Sequence, residues 1–136
     1  MRTYISLLIG TALTGAIAPI ASAQIATVTN IQTASLQPDL TDQILSSGAP
    51  AVVSIDIISP VSITVSSPVP VGFSDPAGTQ HNSTLTYNSV TVPQDIPLSI
   101  ITPGEIDVEV EMQAIRLQPY TAGTYEYSVQ LTIAAP

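Results

Sequence analysis

The chain has 136 residues, ten carboxylates against two arginines, no lysine and no cysteine, and a formal net charge of −8 at pH 7. So acidic a surface repels phosphate backbones and anionic lipids, which sets nucleic-acid and membrane-surface roles aside. Without cysteine there is no disulfide framework, and with one histidine and no lysine the usual zinc ligand sets and amine nucleophiles are missing too.

Residues 1–23 read as a secretory signal peptide. Arg2 supplies the charged start, an apolar run from Ile5 to Ile17 follows, and Ala21-Ser22-Ala23 gives the small-residue ending. A retained anchor is the other reading, but Gly10, Gly15 and Pro19 break a run already short for the roughly 20 residues a bilayer needs. Export follows from the first reading, to the periplasm, the cell surface or the medium, with no membrane span left after cleavage. Past Ala23 the chain keeps a single basic residue, Arg116.

Residues 24–37 are uncharged and rich in Thr. Ile25, Val28 and Ile31 do not hold period two, so this stretch is an extended arm or a first strand. Residues 38–136 are expected to form one domain. Pro38 and Asp39 could open a single helical turn closed at Gly48. Strands follow wherever β-branched residues alternate. Val53, Ile55 and Ile57 share one face, then Val61, Ile63 and Val65, while Pro68 and Pro70 reduce the next stretch to an edge or a link. Residues 74–83 read as the main loop. Leu85 and Tyr87 mark a strand that bends at Asn88-Ser89, and Ile96, Leu98 and Ile100 mark another.

The most regular stretch sets Ile106, Val108, Val110 and Met112 against Glu105, Asp107, Glu109 and Glu111. Its phase changes after Ala114, which signals a bulge or the end of pairing. In the closing strand Tyr125, Tyr127, Val129, Leu131 and Ile133 alternate with Glu126, Ser128, Gln130 and Thr132. Short linkage predicts that these last two strands pair as an antiparallel hairpin. The spacing of strands and turns predicts an all-β, antiparallel immunoglobulin-like β-sandwich of seven to eight strands. Its expected core includes Val53, Ile55, Ile63, Leu98, Ile106, Val108, Val110, Val129 and Leu131.

The ending "AGTYEYSVQLTI", Ala122 to Ile133, resembles the terminal strand of spore-coat-U-like and related chaperone–usher pilin subunits, exported bacterial β-sandwiches. "LTIAAP" is similar to the ends of WxL-type surface domains, without their tryptophan. The matching positions are Ala122, Gly123, Thr124, Tyr125, Val129, Leu131 and Ile133. The pilin resemblance implies a sandwich lacking one strand, filled by an arm of the next copy or of another envelope protein. Two features depart from it: there is no disulfide, and residues 24–37 alternate poorly for a donor arm.

Chemistry is sparse. Glu105, Asp107, Glu109 and Glu111 are candidate calcium ligands, but along a strand they stand about 6.5–7 Å apart and offer an ion one or two oxygens. A solvated face is the plainer reading. His81 could be drawn into a triad with Asp75 and a serine, yet no G-x-S-x-G elbow is present and a loop histidine ordinarily faces solvent. No tryptophan and one phenylalanine give a sugar cleft no aromatic platform, so an enzyme is not expected. Asn82-Ser83-Thr84 fits a glycosylation sequon at a polar loop tip. Tyr125 and Tyr127 share the apolar face, whereas Tyr120 is the better candidate for an exposed contact. The reading is a structural or adhesive surface subunit; the alternative is a secreted monomeric module binding carbohydrate, protein or calcium.

Overall fold

A computed structural model describes residues 7–13, 25–123 and 125–136. The expected signal peptide falls mostly outside them. Among the described residues the strands, in chain order, are β1 (Leu7–Leu13), β2 (Ala26–Gln32), β3 (Leu36–Pro38), β4 (Ile44–Ser47), β5 (Ala51–Ile57), β6 (Val61–Val65), β7 (Val69–Pro70), β8 (Gln80–Tyr87), β9 (Val90–Pro93), β10 (Leu98–Ile100), β11 (Gly104–Ile115) and β12 (Tyr127–Ala134). The strands beyond those expected are mostly short ones. No helix of the described residues is long and apolar enough to cross a membrane.

The strands form two sheets, so the fold is an all-β sandwich. The smaller runs β1-β12-β6-β10, with β7 continuing the β6 side of β12. In the larger sheet the long β11 is central, with β5 and then β4 along one side and β8 along the other; β2, β3 and β9 lie outermost. Pairing is antiparallel throughout except for β1, which lies parallel to β12. Period-two burial drives the assembly: Val53, Ile55, Val108 and Val110 from one sheet meet Ile63, Val129, Leu131 and Ile133 from the other, all fully enclosed. Ile106 lies at the margin of this core and is only partly buried.

Three local expectations are corrected. The last two strands do not pair as a hairpin: β11 and β12 lie in different sheets and face each other across the core. The connection between them is tied to the turn after β3, where Arg116 N donates to Gln43 O at 2.8 Å and Tyr120 N to Asp42 O at 2.6 Å. The expected helical turn after Pro38 is a β3–β4 hairpin. There the Asp39 carboxylate accepts the Thr41 hydroxyl at 2.6 Å and the amides of Gln43 and Ile44, so the side chain satisfies donors a helix would need. The Thr41 hydroxyl, followed by those amides, holds the Asp39 carboxyl below its ordinary range. Lastly, β8 starts at Gln80, so His81, Asn82 and Ser83 belong to a strand rather than to the long loop.

Residues 25–37 are no free arm. β2 pairs with β5 through a bulge between Val28 and Asn30, β3 pairs with β4, and Ala26 is fully buried.

Candidate functional site

Two features stand out, a buried polar network at one end of the sandwich and the long edge of β12 that begins at it.

The network centres on Asp75, in the loop between β7 and β8, whose side chain is 5% exposed. Arg116, just past β11, donates Nε and Nη2 to Asp75 Oδ1 at 2.9 and 2.6 Å. His81 Nε2 meets Oδ2 at 2.6 Å, and the Tyr127 hydroxyl reaches both oxygens at 2.9 and 3.0 Å. A carboxylate only accepts, so Nε2 of His81 carries the hydrogen and the Tyr127 proton points to Asp75. Tyr120 therefore donates its own hydroxyl to the Tyr127 oxygen, at 2.6 Å. The Arg116 guanidinium lies 3.7 Å from the centre of the Tyr120 ring, a cation–π stack, with Tyr125 and Phe73 farther off.

Charge and burial balance inside this cluster. Burial works against the Arg116 charge, but the Asp75 carboxylate outweighs it and keeps the guanidinium above its ordinary range. Burial raises the Tyr120 phenol. It pushes Tyr127 much further up, with help from the Tyr120 hydroxyl and the Asp75 charge. Both phenols are thus held neutral, and the carboxylate is engaged on both oxygens. The arrangement locks β12 of one sheet to β8 and the end of β11 of the other.

The structure therefore brings His81 and Asp75 together, as a triad would, but among the described residues no serine hydroxyl is bonded to the ring. The hydroxyl that reaches His81, Ser67 Oγ at 3.4 Å, meets the backbone carbonyl and not the ring. His81 is half-buried on the inward phase of β8 instead of facing solvent from a loop. Tyr120, expected as an exposed contact, is 1% exposed and packs its ring on the Arg116 guanidinium. Asn82 is exposed in the same strand, beside a buried Ser83.

The second feature is the edge of β12. Glu126 O accepts from Val71 N, and Gln130 exchanges hydrogen bonds with Ser66 through its carbonyl and its amide. Even-numbered residues thus turn their backbone groups toward β6 and β7. Those of Tyr127, Val129, Leu131 and Ile133 turn the other way, and there β1 lies in parallel from Leu7 beside Tyr127 to Leu13 beside Ile133. β12 carries no charge and no proline from Tyr127 to Ala134. Outside β12 lies β1, and the other outer strands among the described residues are blunted: β2 by its bulge, β3 and β9 by a terminal proline and short length, β10 by having three residues. Sheets use those devices to prevent strand addition, and β12 has none of them.

Glu105, Asp107, Glu109 and Glu111 lie in a row on the exposed face of β11, on the opposite sheet. Ser54 donates to Asp107 at 2.6 Å, and Asp56 sits directly across from Glu105. Among the described residues no three acidic or imidazole side chains gather closely enough to hold a metal ion.

No family model matches the chain, and no curated protein matches it. Among solved structures, one similar to it is a family 32 carbohydrate-binding module of C. perfringens NanJ in complex with galactose. It is 13% identical, with 78% of this chain and 90% of that chain covered, at a TM-score of 0.21. A score of that size carries no argument about ligand.

Proposed function

We propose that the chain is an exported, non-catalytic envelope or surface subunit that assembles by adding a strand to the outward side of β12, in the place where β1 lies. The observation that carries this reading is the outward side of β12: the strand is eight residues long with no charge and no proline, and β1 is laid along it. The pilin-like ending of the sequence fits the same reading, because three of the seven residues that carry it, Val129, Leu131 and Ile133, turn their backbone to that side. β2 is engaged in its own sandwich, so the added strand comes from another segment of a second copy or from another envelope protein. The signal-like residues 1–23 support export, and the acidic surface argues against nucleic acid as partner.

Light scattering on residues 24–136 over a range of concentrations tests this. Growth into dimers or larger species with concentration is expected. A monomer at every concentration contradicts assembly of the chain with itself and favours the secreted binding module.

A further inference from the structure

We infer that the chain carries its own stand-in for the added strand, so that severing the leader is what opens the β12 edge. This regulation rests on the strand-addition reading above.

β1 covers the whole outward ladder of β12, residue for residue from Leu7↔Tyr127 to Leu13↔Ile133. Those residues belong to the stretch that the sequence marks as a leader, with Arg2 before them and Ala21-Ser22-Ala23 after. Leu13 and Ile25 lie toward the same end of the sandwich: Leu13 is beside Ile133, which pairs with Ile63 in the middle of the five-residue β6, and Ile25 O accepts the amides of Ile58 and Ser59 just before that strand. A cut after Ala23 therefore parts β1 from β2 without touching a residue of either ladder. β2 stays, held by β5 and by the buried Ala26.

The physical asymmetry is one of concentration. Tethered by residues 14–24, β1 meets β12 at an effective concentration of roughly millimolar order. Once severed at ordinary protein concentrations it dilutes away, and the outward groups of Val129, Leu131 and Ile133 become available to a strand from another chain. The uncut chain is a capped monomer, and the cut chain is competent to assemble. The cap needs no further partner because it arrives in the same molecule.

The test uses the full 136-residue chain and a variant carrying Gly10→Pro and Ala12→Pro, which removes the backbone donors that β1 turns toward Val129 and Leu131 in the parallel register. The probe is a fluorescein-labelled peptide of the sequence Leu7 to Leu13 on a polar tail, followed by anisotropy, with amide exchange read at Val129, Leu131 and Ile133. The inference expects slow exchange at these amides in the parent, fast exchange in the variant, and peptide binding about tenfold or more tighter to the variant. Fast exchange in the parent, with the peptide binding parent and variant equally, overturns the stand-in and leaves strand addition intact. Fast exchange in the variant with no peptide bound to either chain overturns strand addition itself. If the prolines unfold the chain, seen as loss of its tyrosine near-UV signal, the parent's amides decide alone: slow supports the stand-in, fast overturns it.

Discussion

Tyr120 and Tyr127 join their hydroxyls at 2.6 Å across the turn by which the chain passes from one sheet to the other. The proton order is directional: Tyr120 donates to Tyr127, and Tyr127 to Asp75. Removing the middle member should therefore cost more than removing the end. Tyr127→Phe leaves a buried hydroxyl and a carboxylate lone pair unmet and should lower stability by about 1–3 kcal/mol; Tyr120→Phe should cost about 0.5–1.5 kcal/mol. Urea unfolding of both variants measures the difference, and the reverse order would contradict the assigned direction.

Among the described residues Asp75 is the carboxylate paired with the buried Arg116 guanidinium, and the two side chains are 5% and 9% exposed. Asp75→Leu strands that charge and should cost about 3–5 kcal/mol. Adding Arg116→Met to it should recover a good part of the loss, because an unpaired buried charge is worse than none. A double variant as unstable as the sum of the singles would mean that the pair is not coupled.

Alkali should act through the same cluster. Burial places the folded-state ionisation of Tyr120 and Tyr127 above that of an unfolded tyrosine, about 10. The unfolded chain then releases protons that the folded chain keeps. Stability is fully present below about pH 10 and falls as pH rises beyond it. Phenolate absorbance from these two residues should appear only together with loss of the near-UV signal. Complete phenolate formation in a chain still folded would refute the burial argument.

The β8–β9 hairpin turns at Asn88 and Ser89, both left-handed with φ of 50° and 65°. Such a two-residue turn favours glycine second. Ser89→Gly removes a left-handed penalty of about 1–2 kcal/mol and adds the backbone entropy cost of glycine, about 0.5–1 kcal/mol. A net rise in thermal stability is expected, and a fall for Ser89→Val, both read from melting curves.

Much of the sandwich was legible because half-buried strands alternate. β5, β6, β11 and β12 each present apolar residues at every second position, and the phase change after Ala114 coincides with the end of β11 at Ile115. Alternation reveals which side of a strand is inward but not which strand lies beside it, so the separation of β11 and β12 into two sheets was hidden. The first half of β8 was hidden for another reason. Its inward residues are His81 and Ser83, polar side chains made acceptable by Asp75 and by the Ser66 carbonyl, and polarity masks the period. The network itself joins residues far apart in the chain, with Arg116 41 positions from Asp75 and Tyr127 52. One signal pointed toward it: Arg116, the lone arginine after Arg2, a few residues from Tyr120 in a chain without lysine.

Amide exchange along β12 in residues 24–136, measured at a concentration where the protein is monomeric and again where it has assembled, tests the strand-addition account most directly. Gln130, whose amide is bound to Ser66 Oγ, and its even-numbered neighbours should be slow in both states. The amides of Val129, Leu131 and Ile133 should be fast in the monomer and slow in the assembly. If these three are equally slow in the monomer, the β12 edge is already closed and the account is wrong.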